Sequence, residues 1–182
     1  MTKKKLTLTL VIGGSKSGKS RFAEQIISNK KNVTYIATGP IINDDIAWNE
    51  KIRQHKQRRP KHWKLIESSQ DLNLTVNNLK KHQTVLIDSL GGFISSNIDQ
   101  SNDSWKVLEK SFLKSLCSYR GSIILVIEEV GLSIVPHTTS GIIYRERIGT
   151  LSQRLQLNSD KSWLIIIGRA INLNKISNSI YE

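Results

Sequence analysis

The sequence predicts a three-layer α/β fold with a mostly parallel central sheet, and three observations carry that expectation. Short apolar runs rich in Val and Ile recur along the 182 residues. Stretches with helical periodicity separate them, and the first run leads directly into a glycine-rich turn followed by another helical pattern. Such runs look like the buried strands of a parallel sheet covered by helices.

The elements follow in order. Strands are expected over 6–12, 33–37, 85–87, 123–127 and 163–167, each too short for a helix and bounded by polar residues or Gly. Helices are expected over 20–29, 44–58, 72–80, 104–119 and 142–157. In the last of these Tyr144, Ile148, Leu151 and Leu155 fall on one face and form a core-facing stripe. With no internal repeat or low-complexity stretch, residues 1–182 read as a single nucleotide-binding domain.

The turn after the first strand is Gly13-Gly14-Ser15-Lys16-Ser17-Gly18-Lys19-Ser20, a complete G-x-x-x-x-G-K-S phosphate-binding loop. Glycines at 13 and 18 let the backbone bend so that successive N–H groups converge on phosphate oxygens. Lys19 then reaches the terminal phosphates as a point charge, and the Ser20 hydroxyl is placed to ligate the Mg²⁺ of a nucleoside triphosphate. The expected fold is therefore of the P-loop NTPase type. Asp88 closes the third apolar run, where an acidic residue holds that cation through water; the competing reading is a helix cap. Thr38, Gly39 and Pro40 close the second run and are placed to form part of a nucleotide pocket.

The 27 Lys and Arg against 15 Asp and Glu give a net charge of +12, which favours anionic partners. Interleaved aromatic and basic residues, the platform on which nucleic-acid bases stack, are absent, so nucleic acid is not the expected partner. No stretch is long and apolar enough for a membrane span. The apolar stretch after the basic start runs into the phosphate loop without a cleavage site, so it reads as a core strand and the chain as cytoplasmic. The lone Cys117 is expected as a small core residue. His62, His82 and His137 lack metal-ligand spacing and are expected at the surface.

Residues 51–64 pack seven cationic side chains and two histidines into fourteen positions. A solvated basic helix end is one reading. The other is chemical: a neutral imidazole at His55 can attack phosphorus while neighbouring Lys and Arg neutralise the developing charge.

These motifs resemble the bifunctional adenosylcobinamide kinase/adenosylcobinamide-phosphate guanylyltransferases of cobalamin biosynthesis. The resemblance rests on the phosphate loop with Arg21-Phe22-Ala23-Glu24, on Tyr35-Ile36-Ala37-Thr38, and on Arg53, His55 and Lys56 with Arg59-Pro60 and Trp63. Glu67, Asp88 with Leu90, Asn97, Glu129-Val130-Gly131 and Ile134-Val135-Pro136 complete it. It implies that residues 13–20 bind GTP phosphates, that Thr38, Gly39 and Pro40 lie in the nucleotide pocket, and that His55 becomes guanylylated. It further implies that Lys56, Gln57, Arg58, Arg59 and Glu67 contact GTP and that Asp88 sits at the nucleotide and Mg²⁺ site. Two reactions follow: phosphorylation of adenosylcobinamide at the expense of ATP or GTP, then transfer of GMP from GTP to adenosylcobinamide-phosphate. A homo-oligomer is the expected assembly. The chain departs from the family pattern at Gly91, where Thr is usual, and at Glu128, where Asn is usual. Further departures are Ser89 for Cys, Ser133 for Gly, Glu146 for Asp and Ser152 for Asn. They cluster away from the phosphate loop, in the part that, by the resemblance, should receive the corrinoid or complete the kinase reaction. A simple phosphate-loop kinase with His55 merely binding phosphate, and a basic nucleotide-dependent nucleic-acid module, are the alternative readings.

Overall fold

The computed structural model describes residues 6–39, 50, 53, 57–68 and 70–180. Its strands are β1 (Thr7–Gly13), β2 (Val33–Ala37), β3 (Lys64–Glu67), β4 (Thr84–Asp88), β5 (Ser122–Glu128), β6 (Lys161–Ile166) and β7 (Arg169–Asn172). Its helices are α1 (Lys19–Gln25), α2 (Leu72–Asn77), α3 (Leu90–Ser95), α4 (Asn102–Ser118), α5 (Thr139–Gln156) and α6 (Leu173–Ile176). The strands form one seven-stranded sheet in the order β3-β2-β4-β5-β1-β6-β7. All neighbouring pairs are parallel except β6 with the short edge strand β7.

Period-two alternation along the central strands divides the core in two. Leu8, Leu10, Val85, Ile87, Ile123, Leu125 and Ile127 face a cluster completed by Phe93 of α3, Trp105, Phe112 and Leu116 of α4, and Ile148, Leu151 and Leu155 of α5. Val11, Tyr35, Leu86, Ile124, Val126 and Ile165 face the opposite side, against Ala23 of α1, Ile27 and Trp63. The sheet is thus covered on both faces, the condition a parallel sheet requires.

All five expected strands are present to within a residue or two, and two more flank them at the edges. The expected helix over 44–58 lies largely outside the described residues. Cys117 is exposed rather than buried. The buried stripe of α4 runs through Trp105, Glu109, Phe112 and Leu116, and position 117 lies about 100° round the helix from Leu116. His62, His82 and His137 are at the surface. No helix among the described residues is long and apolar enough to cross a membrane.

Candidate active site

Strand β1 delivers the phosphate loop to the carboxyl edge of the sheet, between β5 and β6. Two glycines in it answer to backbone geometry. A β-carbon placed on Gly13 would fall 2.5 Å from the Ile165 carbonyl oxygen, and Gly18 adopts a φ of 99° immediately before α1. The loop is held from both flanking strands: Glu129 N–H donates to the Gly13 carbonyl at 2.9 Å, and Gly168 N–H donates to the Ser17 carbonyl at 3.0 Å. Lys19 Nζ donates to the Gly14 carbonyl at 3.2 Å, so its ammonium lies across the loop. Ser15 and Lys16 are exposed, and the Ser17 side chain is buried.

The Ser20 hydroxyl, on the first turn of α1, donates to Asp88 Oδ1 at 3.1 Å. Asp88 ends β4 and does not cap the next helix, whose N-cap is Ser89. Its other oxygen, Oδ2, accepts from the Tyr35 hydroxyl at 2.7 Å. Burial, and then the adjoining Asp88 carboxylate, push the Tyr35 phenol well above its ordinary value, so it stays a donor throughout the physiological range. Among the described residues no three His, Cys, Asp or Glu side chains gather into a metal cage. A hydroxyl and a single carboxylate fit instead a hard cation that takes its remaining ligands from phosphate oxygens and water.

Two arginines of the basic segment reach this place. Arg58 pairs with Glu24 of α1 through both nitrogens, Nη2 to Oε1 at 2.8 Å and Nε to Oε2. The Arg59 guanidinium lies over the Tyr35 ring, 4.1 Å from its centroid. Gln57 is exposed, and Glu67 is exposed at the carboxyl end of β3, whose register aligns it with Ala37 and then Asp88. Thr38 is fully buried; its hydroxyl accepts from Ser89 N–H at 3.0 Å and donates to the Ser89 carbonyl. Gly39 beside it is exposed. His55, Lys56 and Pro40 lie outside the described residues.

Three of the departures prove to be one arrangement. Glu128, at the end of β5, accepts from Gly91 N–H at 2.9 Å and from the Ser89 hydroxyl. A β-carbon on Gly91 would fall 2.6 Å from Glu128 Oε2 and 2.3 Å from the Tyr144 hydroxyl oxygen. The carboxylate therefore occupies the space that a threonine at 91 would fill. Ser133 and Ser152 close local bonds to the Val130 and Ile148 carbonyls, and Glu146 is exposed.

The sequence reading assigned no role to Tyr35, Glu24 or Glu128. A legible signal existed for Tyr35, since a tyrosine inside a buried strand must find a partner for its hydroxyl. Glu24 carried a weaker one: it falls on the face of α1 that carries Ala23 into the core, and buried carboxylates are paired.

The chain is 29% identical over 181 residues to the bifunctional adenosylcobalamin biosynthesis protein CobU of Escherichia coli, covering 91% of this chain and 99% of that one. The protein of the same name from Salmonella typhimurium matches at 29% over 181 residues with the same coverage. The bifunctional adenosylcobalamin biosynthesis protein CobP of Pseudomonas aeruginosa is 29% identical over 163 residues, 87% of this chain and 92% of that one. Among solved structures, one titled as a structural study of project PH0250 from Pyrococcus horikoshii OT3 shares the fold. It has a TM-score of 0.55 at 9% identity and covers 100% of this chain and 94% of its own. The model of the cobinamide kinase/cobinamide phosphate guanyltransferase family matches residues 9–173, and the chain belongs to that family.

Proposed function

We propose that the protein phosphorylates adenosylcobinamide and then transfers GMP from GTP to adenosylcobinamide-phosphate, with His55 as the residue that carries the GMP. The observation that carries this reading is the Ser20–Asp88 pair, 3.1 Å apart at the mouth of the phosphate loop, with Arg58 and Arg59 drawn in beside it. Residues 13–20 hold the triphosphate, and Ser20 and Asp88 would hold Mg²⁺, which when bound neutralises charge on the phosphate oxygens.

In the kinase half, the acceptor hydroxyl attacks the γ-phosphorus of ATP or GTP and gives up its proton to solvent. The bond to the bridging oxygen breaks, and the nucleoside diphosphate leaves with that electron pair. Lys19 and the loop N–H groups stabilise the charge. In the transfer half, the neutral imidazole of His55 attacks the α-phosphorus of GTP, and pyrophosphate leaves. A phosphate oxygen of adenosylcobinamide-phosphate then attacks the same phosphorus and breaks the N–P bond. This yields adenosylcobinamide-GDP and frees the histidine. Splitting the transfer in two lets one cationic site serve two anionic partners in succession.

Incubation with α-³²P-GTP tests the reading, because a phosphoramidate is acid-labile and base-stable. Covalent label of that stability, mapped to His55 by mass spectrometry, is the expected result. Phosphorylation of adenosylcobinamide without protein-bound label would leave a simple kinase; neither activity, with retention on RNA or DNA, would favour a nucleic-acid module.

A further inference from the structure

Tyr35 joins two parts of the site that are far apart in sequence. Its hydroxyl donates to Asp88 Oδ2 at 2.7 Å, while the opposite oxygen of that carboxylate accepts from Ser20 at 3.1 Å. Its ring, 2% exposed within β2, is covered by the Arg59 guanidinium at 4.1 Å. Arg59 is four residues beyond His55 in sequence, and its neighbour Arg58 is anchored on Glu24 of the phosphate-loop helix. The carboxylate is thus gripped from both sides, and one of the two grips is reached by the basic segment.

We propose that Tyr35 is a positioning residue that sets the Asp88 carboxylate for the cation of a Mg²⁺–triphosphate, and that the seating of Arg59 on its ring is coupled to this setting. The proposal rests on the reading of residues 13–20 and Asp88 as a Mg²⁺–triphosphate site. A phenol hydrogen bond fixes the direction of a carboxylate lone pair, so a cation meets Asp88 already aimed. Arg59 packs a planar cation against the ring face and restrains the ring's tilt, on which the direction of the hydroxyl depends. Coupling of this kind is reciprocal: whatever seats Arg59 on the ring favours cation binding, and cation binding favours the seated arginine.

The test is fluorescent GTP-analogue binding to the full chain, titrated with Mg²⁺ and repeated in EDTA, with thermal melting as the control for folding. Tyr35→Phe keeps the ring under Arg59 but removes the hydroxyl. It is expected to raise the Mg²⁺ needed for half-maximal binding about threefold to tenfold while leaving the EDTA affinity unchanged. Arg59→Gln is expected to raise the Mg²⁺ requirement in the wild-type background and to add little in a Tyr35→Leu background, where the ring is gone. A Tyr35→Phe protein with the wild-type Mg²⁺ requirement would overturn the positioning role. Equal effects of Arg59→Gln in both backgrounds would overturn the coupling and leave Arg59 acting on the nucleotide directly. A wild-type chain that binds no analogue at all would overturn the underlying triphosphate site, an outcome distinct from the other two.

Discussion

Ser20 and Asp88 are 68 positions apart in the chain, yet the hydroxyl of one donates to the carboxylate of the other at 3.1 Å. The pairing exists because β1 and β4 both end at the same edge of the sheet, one strand apart. Asp88→Asn keeps the shape and removes the charge. It is expected to raise the Mg²⁺ requirement of turnover by about 10- to 100-fold with an unchanged melting temperature. Normal turnover at limiting Mg²⁺ would reduce Asp88 to a partner of Tyr35 and Ser20.

Lys19 lies across the loop with its ammonium on the Gly14 carbonyl. Lys19→Ala removes the mobile cation that the loop can offer to terminal phosphates, and is expected to lower kcat/KM for both half-reactions by roughly two to three orders of magnitude. Steady-state kinetics with each nucleotide measures it. Wild-type GTP affinity in this variant would count against the nucleotide site as a whole.

His55→Asn removes the nucleophile that the proposed mechanism assigns and keeps a polar side chain. The GMP adduct and guanylyl transfer should disappear, while phosphorylation of adenosylcobinamide persists, since γ-phosphoryl transfer needs no protein nucleophile. Mass spectrometry of the GTP-treated variant decides it: a base-stable adduct on another residue would reassign the nucleophile.

The Gly91, Ser89 and Glu128 arrangement predicts non-additivity. Gly91→Thr pushes side-chain atoms into the Glu128 carboxylate and the Tyr144 hydroxyl, and should cost about 1–3 kcal/mol. Glu128→Asn leaves the Gly91 N–H and the Ser89 hydroxyl without their acceptor, at about 1–3 kcal/mol. In the double variant the threonine fills what the shorter side chain vacates, so denaturant unfolding should show less than the summed cost. Strict additivity would mean that the two positions are independent.

Glu109, buried on α4, gives a pH-dependent term. Burial pushes its carboxyl above the ordinary range, and the Arg154 guanidinium, donating to Oε2 at 2.6 Å, offsets that only in part. A carboxyl raised on folding binds its proton more tightly in the folded state. Its contribution therefore falls as pH rises from the ordinary carboxylate value to the raised one. Glu109→Gln should flatten that slope in melting temperature against pH, and an unchanged slope would place the titration elsewhere.

The buried strands were legible because β-branched runs that are apolar on both faces have few alternatives, and the phosphate loop because its glycines, lysine and hydroxyl stand at fixed offsets. The edge strand Lys64–Glu67 was not: only Ile66 is half-buried, so its pattern is that of a polar loop. Helix Leu90–Ser95 is not among the helices expected from periodicity, because Gly91 and Gly92 interrupt its apolar pattern. It forms because Leu90, Phe93 and Ile94 are fully buried, and because a β-carbon on Gly92 would strike the backbone of Thr38 at 2.4 Å. At the site, the nearness of Ser20 and Asp88 could be anticipated from position alone. The Tyr35–Arg59 stack could not, since it depends on where a basic segment returns across the sheet.

The central place of β1 also orders events in time. Its neighbours are β5, with Thr7 opposite Ser122, and β6, with Val11 opposite Trp163. Both partnerships span more than a hundred residues, and contacts of such separation close late because the loop entropy must be met first. During synthesis, at about 5–20 residues per second, the glycine-rich motif leaves the ribosome first yet waits for the last strands to give it walls. A nascent chain halted before Lys161 carries the entire phosphate signature but lacks β6 and the Gly168 N–H that holds the Ser17 carbonyl. Such a chain is expected to retain no GTP analogue, and completion of the β6–β7 hairpin is then the step that gives the phosphate loop its second wall.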